Sequence, residues 1–425
     1  MIKPLSILVL ISLVAGLALG AFVQQSGNAD FVAAAGVLKA FGDLWLNALR
    51  MTVVPLVFSL LVVGVASVSD AAKTGGLVLR AVLLFTLLLV LAAIYAIALT
   101  NGVLDFFPVD RESAQALIAG AGASAPEVSA PPTFAEWLAG LAPSNPVGAA
   151  ADEKMVPLVV FALFFGFAAT RLPAHMHGQI VTLFRAVSEA MIVIVHWVLL
   201  AGPIGVFCLA LGVGVTAGFG AAGTIFHYVA VVTGVLATMT VIGWLIAITF
   251  GRQPIGRFTA AITPVWVIAL STQSSLASLP AMITAAREGL RLPERVVDVT
   301  LPLAVAVFRF TSPVGNLAVC FFIAHLYGIQ PTFLHLVGGV AVAYAMSIGA
   351  VGLPGQVSYI SSIAPICMAL GVPIELLGIF IAVEVIPDLF RTTGNVTGDV
   401  AAASILAGGE RETMRAEPRS DEASA

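Results

Sequence analysis

Runs of about twenty apolar residues recur from one end of this 425-residue chain to the other, and that is the length an α-helix needs to cross the hydrocarbon core of a bilayer. In hydrocarbon every backbone N–H and C=O must be satisfied within the chain, so the runs are read as helices and not as loops or open sheet edges. Spans are expected near residues 5–24, 43–69, 76–100, 154–171, 182–213, 221–250, 296–326 and 374–405. Composition agrees, since 60% of the residues are hydrophobic and 10% charged, against roughly 25% charged in a soluble domain. The expected fold class is an all-α polytopic membrane protein of about eight transmembrane helices.

The first run follows Lys3 and ends in "LALGA", which resembles a cleavable signal, but it is longer than a typical signal core and is expected to be a retained helix. Residues 101–153, rich in Ala, Pro, Ser and Gly, read as a surface loop with a short helix. The polar residues 408–425 read as a disordered tail. With the N-terminus inside, the cytoplasmic side collects Lys3, Lys73, Arg80, Arg171, Arg185, Arg252, Arg257, Arg287, Arg291, Arg295, Arg411, Arg415 and Arg419, and the outside keeps chiefly Lys39 and Arg111. Basic residues gather on the cytoplasmic side, so both termini are expected in the cytoplasm of a cell (inner or plasma) membrane protein. The charges are too few and scattered for a nucleic-acid face. Cys208, Cys320 and Cys367 are far apart in the sequence and are expected to be buried thiols, with neither a disulfide framework nor a metal spacing. No organic cofactor is implied.

That topology requires two further apolar stretches, 258–286 and 332–370, to enter and leave on the same side. Both are broken in the middle, one by "STQSSLASLP" (271–280) and the other by "GAVGLPGQ" (349–356). Irregular backbone at membrane depth survives only where protein buries it or water reaches it, so two re-entrant hairpins are expected. Each is followed by a polar-interrupted span: "FRFTSPVGN" (308–316) after the first, "PDLFRTTGNVTGD" (387–399) after the second. Paired broken units of this kind mark an inverted-repeat transporter with its site near the midplane.

In the last span Asp388, Arg391, Thr392, Asn395 and Asp399 stand at offsets 0, 3, 4, 7 and 11, with Glu384 four residues before them. At 3.6 residues per turn all six project from one face. A charge at the centre of a span costs at least ~2.5–3.5 kcal/mol, so the stripe faces a cavity or pairs within itself. A purely structural ion-pair network is the bland alternative. The mixture of types argues for a ligand, because a guanidinium grips a carboxylate bidentately and a nearby aspartate accepts an ammonium. An acidic amino acid carries both groups. Helix N-termini inside the hairpins offer N–H groups to carboxylates, with Ser274 and Ser275 at the first tip as added hydroxyls or simply as caps.

The segments "PDLFRTTGNVTGD", "TQSSLASLP" and "GLPG", with "LRMTVVPLVFSLLVVGVASV" (49–68), "NPVGAAADEKMVPLVVFALFFGFA" (145–168) and "PIGVF" (203–207), together resemble the dicarboxylate/amino acid:cation symporter family, which includes the glutamate transporters. The resemblance leaves out only residues 101–144 and the tail. It implies a homotrimer working as an elevator, with spans in 1–100 and 154–250 mostly as scaffold and 251–407 as the transport core. It implies that the second hairpin, around Gly352, Pro354 and Gly355, is the extracellular gate. It also implies that Arg391 holds the substrate's side-chain carboxylate, that Asp388 holds its amino group, and that Thr392 and Asn395 hold the remaining polar groups. Asp399, with Asn395, corresponds to a cation site, here a possible sodium site and the one metal position expected. Dicarboxylate-specific members generally lack the equivalent of Asp388, so aspartate or glutamate is favoured over a C4 dicarboxylate.

The chain departs from that family in its seventh span, where an Asn-Met-Asp-Gly-Thr motif is replaced by Phe308, Arg309, Phe310, Thr311 and Ser312. A phenyl ring offers no oxygen to a hard cation; Ser312 keeps a hydroxyl on the substrate side. In the third span Thr86 is the one hydroxyl within "LLFTLLL" (83–89). Arg309, charged at every accessible pH, is expected to act as a tethered cation facing Asp399, or else to snorkel away with no coupling role. Glu384, Asp388 and Asp399 against Arg309 and Arg391 leave one negative charge, which one proton or one sodium ion would neutralise. The expectation is a secondary transporter of an acidic amino acid, coupled to protons or with reduced sodium dependence, with Glu384 as proton carrier; a C4-dicarboxylate symporter is the alternative. An intramembrane hydrolase would need a nucleophile and base, or a metal set, that the spans do not offer. An anion pore would lack saturable counter-flow.

Overall fold

A computed structural model describes residues 2–72, 75–121, 133–218, 220–349 and 355–416, and all regular structure among them is helical. The first helices are α1 (Ile2–Ser26), α2 (Ala29–Arg50), α3 (Val53–Ala72) and α4 (Gly76–Phe106). Three short ones, α5 (Arg111–Gly120), α6 (Phe134–Gly140) and α7 (Pro146–Ala151), lie in the stretch read as a surface loop. They are followed by α8 (Met155–Ala169), α9 (Ala174–Leu200), α10 (Gly202–Ala217) and α11 (Gly220–Thr249).

Among the described residues seven helical segments are long and apolar enough to cross a membrane. Two expected spans fall short of that test: α8 has only 15 residues, and the last span carries the charged stripe. The run expected as one span over 182–213 is two helices, because Pro203, near the start of α10, has no N–H to continue α9. On α4 the side chains of Leu83, Leu87, Leu91 and Ile94 are each more than half exposed, and their three- to four-residue spacing makes one outward stripe. In water such a stripe would invite association; in a bilayer it meets lipid. By contrast, 94% of the most apolar window of Glu294–Tyr327 is buried, so the seventh span is the core of the molecule.

The first helix is a packed member of the bundle. A Cβ on Gly16 would stand 2.5 Å from the Phe207 carbonyl oxygen, and one on Gly214 2.5 Å from that of Leu17. Glycine at these positions lets α1 and α10 meet backbone to backbone, as small residues do in membrane helix pairs.

The first expected hairpin is α12 (Ile255–Thr272) and α13 (Ser275–Thr284), ending in a π-helical turn over Ala285–Gly289. Gln273 turns the chain in the left-handed region, φ 53°, and Ser274 restarts it, its side chain accepting from the Ala277 N–H at 3.2 Å. A broken span follows, α14 (Glu294–Val307) and α15 (Ser312–Tyr327). Pro313 cannot donate to the Arg309 carbonyl, and the Ser312 N–H takes it at 2.8 Å.

The second hairpin is α16 (Phe333–Gly349) and α17 (Gly355–Leu370). Gly352 and Pro354 of its expected gate lie outside the described residues. The last span is broken too, into α18 (Leu377–Phe380) and α19 (Val385–Ala416). Pro387 leaves the Val383 carbonyl to the Ile386 N–H at 3.1 Å. The expected order of hairpin and broken span thus occurs twice. Residues 408–416, the start of the expected tail, form the end of α19.

Candidate functional site

The start of α19 is where the helix interruptions meet. From the first hairpin, Gln273 Nε2 donates to the Val385 carbonyl at 3.0 Å. From the second, the Gly355 N–H at the start of α17 donates to Asp388 Oδ2 at 3.1 Å. From the seventh-span break, the Thr311 N–H donates to Asn395 Oδ1 at 2.8 Å. The Thr311 hydroxyl lies 2.8 Å from the Arg391 carbonyl oxygen and 2.9 Å from Asn395 Oδ1. Glu384, Asp388, Arg391, Thr392, Asn395 and Asp399 are each at most 5% exposed, so the stripe faces protein, as its cost in lipid requires.

Arg391 is the hub. Its Nη1 donates to Asn316 Oδ1 at 2.8 Å and its Nη2 to Glu384 Oε1 at 3.0 Å, while Nε stands 3.9 Å from Asp388 Oδ1. The guanidinium lies against the backbone of Gly315, where an added Cβ would come within 2.8 Å of Cζ. Glu384 is fully buried, and its Oε2 has no hydrogen-bond partner among the described residues. Tyr359 donates to or accepts from Tyr228 at 2.8 Å, and Tyr228 stacks on Phe380 at 4.0 Å.

A small polar cavity of about 10 Å³ lies at the hub, room for about one water. Of the expected site residues, Arg309, Ser312, Gly355, Glu384 and Arg391 border it. Asn316, Ser358, Tyr359 and Ser362 border it as well, and none of these four is among the expected ligands. Ser358 and Ser362 carried a signal, hydroxyls four residues apart on one helix face directly after the "GLPG" break. Asn316 lies on the face of Ser312, one turn on.

The remaining expected residues are nearby but otherwise engaged. The Asp388 carboxylate is turned to Gly355, and a Cβ at Gly355 would clash with it. The Thr392 hydroxyl donates to the Asp388 carbonyl at 2.9 Å. Ser274 caps α13, and neither it nor Ser275 borders the cavity. Arg309 is buried, not snorkelled to a lipid face, and lies within electrostatic reach of Arg391, Asp388 and Asp399. Cys320 and Cys367, 47 residues apart, bring their sulfurs to 3.2 Å as free thiols; Cys208 is buried elsewhere. A larger cavity of about 690 Å³ opens between α5 and the end of α15, beside Arg111, Gln115, His325 and Tyr327. It contains none of the charged stripe.

Two guanidiniums, Arg309 and Arg391, border the small cavity together with hydroxyls and an amide, a set suited to binding a small anion. Among the described residues no group of three or more His, Cys, Asp or Glu is placed to hold a metal. Comparison with known proteins gives the same reading. The chain is 27% identical over 420 residues to a proton/glutamate-aspartate symporter of Escherichia coli (strain K12), covering 96% of this chain and 93% of the relative. It is 27% identical over 370 residues to a proton/sodium-glutamate symport protein of Bacillus subtilis (strain 168), covering 87% and 85%. A C4-dicarboxylate transport protein of Rhodopseudomonas palustris (strain BisB5) is 28% identical over 415 residues, covering 96% and 89%. Residues 5–408 match the sodium:dicarboxylate symporter family, and this chain, an all-helical membrane transporter and not an enzyme, belongs to it.

Proposed function

We propose that the protein is a proton-coupled symporter of an acidic amino acid, aspartate or glutamate. The observation that carries this reading is the buried pair between Arg391 Nη2 and Glu384 Oε1 at 3.0 Å. The guanidinium best placed to grip a substrate carboxylate is already gripped by a carboxylate of the chain. A substrate can take that position only if Glu384 gives it up, and a buried carboxylate without its cation is too costly to stay charged. Glu384 then takes a proton, and one proton accompanies one anionic group. The groups facing Glu384 are Arg391 and Asp388 on its own span, Tyr228 on α11, Tyr359 on α17, and Arg309 across the cavity. Protonated Glu384 no longer competes for Arg391, so acid tightens substrate binding.

Asp388 would serve the substrate's ammonium. To do so it loosens its hold on the Gly355 N–H, which links recognition of the amino group to the position of the second hairpin. The cavity is too small for an amino acid, so entry requires α17 to part from α19. A C4 dicarboxylate is the second reading, supported by Arg309, a second guanidinium bordering the same cavity. We infer further that the chain works as a homotrimer by an elevator movement, with both termini cytoplasmic.

Labelled L-aspartate uptake into proteoliposomes tests the first reading, with a proton gradient imposed and sodium absent. Uptake is expected, competed weakly by succinate. Glu384→Gln should cut proton-driven uptake at least about tenfold, the scale of one charge-assisted hydrogen bond of roughly 1.5–3 kcal/mol. An unchanged response to the proton gradient in Glu384→Gln would remove Glu384 from the mechanism. Succinate competing better than aspartate would select the dicarboxylate reading.

A further inference from the structure

Asp399 is 1% exposed, and its Oδ1 has no hydrogen-bond partner among the described residues. A buried carboxylate of this kind needs a cation. Arg309 is the charged group whose field reaches it.

Little around it suits a mobile ion. A hard cation asks for several oxygen ligands. Asn395 Oδ1 is taken by the Thr311 N–H at 2.8 Å and its hydroxyl at 2.9 Å. The Thr86 hydroxyl pairs with Tyr344 at 2.8 Å. Phe308 stacks on Phe85 with ring centres 4.4 Å apart. The Phe310 ring presses on the backbone next to Asp399, where a Cβ on Gly398 would come within 2.6 Å of it. Beside the Asp399 backbone the described space is taken by aromatic carbon.

We propose that Arg309 is a built-in counter-cation, neutralising Asp399 at the break of the seventh span so that the protein neither binds nor requires sodium there. The residues present do not fit the sodium in the family's name. Arg309 lies at a point where α14 has ended and α15 has not begun, so its side chain is directed by an unwound turn, while the Phe308 and Phe310 rings on either side of it in sequence meet each other with centres 5.6 Å apart. Its charge reaches Asp388 and Arg391 as well, so it sets the balance of the whole site. This inference rests on the reading of the protein as an anion symporter, but it can be tested without transport.

The experiment is thermal unfolding of the purified full-length protein in sodium chloride and in choline chloride at equal ionic strength. Anything that binds only the folded state raises the midpoint. The wild type is expected to unfold at the same temperature in both salts. Arg309→Met should lower the midpoint in both, and Arg309→Met with Asp399→Asn should recover much of that loss, because both charges are then gone. Arg309→Lys, which keeps the charge, should stay near wild type in both salts. Phe308→Asn, Arg309→Met and Phe310→Asp together restore oxygen ligands and remove the fixed cation, and this variant should gain a midpoint that rises with sodium. A sodium-dependent rise in the wild type would overturn the proposal, as would an Arg309→Met protein as stable as wild type. Uptake of labelled L-aspartate and of succinate on a proton gradient without sodium is read separately. Failure there, with the salt-independent midpoint and the charge rescue intact, would count against the proposed function and leave Arg309 as the counter-cation.

Discussion

Arg391 divides its fork between two acceptors, Asn316 and Glu384, and only one of them can ionise. Under the proposed function that asymmetry is what would make the site responsive to protons, because Asn316 holds the guanidinium at any pH while Glu384 would release it on protonation. Replacing Asn316 by Asp keeps the shape and puts a second carboxylate 2.8 Å from Nη1. An incoming anion would then meet a fully neutralised guanidinium. Asn316→Asp is expected to raise the dissociation constant for L-aspartate at least tenfold, about 1.4 kcal/mol, with the loss smaller in acid, where the new carboxyl is protonated. Equilibrium binding of labelled aspartate across pH measures it. Unchanged affinity would mean that Arg391 does not grip the substrate carboxylate.

The break between α14 and α15 is held by Thr311, whose N–H and hydroxyl both reach α19. Thr311→Val keeps the backbone bond and the shape but leaves Asn395 Oδ1 and the Arg391 carbonyl short of a donor. A buried acceptor left short costs about 1–3 kcal/mol, so the thermal midpoint in detergent should fall by several degrees; no fall would mean the break is held elsewhere. The break itself was legible in the sequence, as were both hairpins, because Pro313, Gln273-Ser274 and Gly355 act on the backbone within a turn of themselves. The α19 stripe was legible for the same local reason: six polar groups at helical spacing cannot all face lipid. What each polar group pairs with was not legible. Ser274 turned out to cap its own helix, Asn395 is occupied by Thr311 84 residues away, and Cys320 meets Cys367 across two helices. Those pairings depend on how whole helices approach, which no local pattern encodes. Pro203 shows the reverse case, a local signal inside a greasy run that length alone had merged into one span.

At the scale of the molecule, an ion pair among the described residues ties the end of α2 to the segment just before α18. Arg50 Nη2, at the end of α2, donates to Glu375 Oε1 just before α18 at 2.9 Å. α2 packs on α10, where Trp45 fills the space over Gly205, and Leu46 and Leu209 reach across to Gly378 on α18. The two side chains are 26% and 32% exposed, and a pair that open contributes up to about 1 kcal/mol. That is too little to hold the fold together, but enough to bias a movement. If α18 and α19 slide against α2 and α10 during transport, as the elevator reading requires, this pair breaks in every cycle. Arg50→Gln or Glu375→Gln should then raise kcat by up to about fivefold, the equivalent of ~1 kcal/mol, with KM for L-aspartate little changed because neither residue borders the cavity. The charge-swapped pair Arg50→Glu with Glu375→Arg should return kcat toward wild type. Arg50→Cys with Glu375→Cys, joined by a short bis-maleimide, should abolish uptake while leaving aspartate binding intact. Initial-rate uptake with and without the cross-link measures both. Continued uptake in the cross-linked protein would show that the substrate crosses without relative movement of these two groups, and the elevator reading would have to be given up.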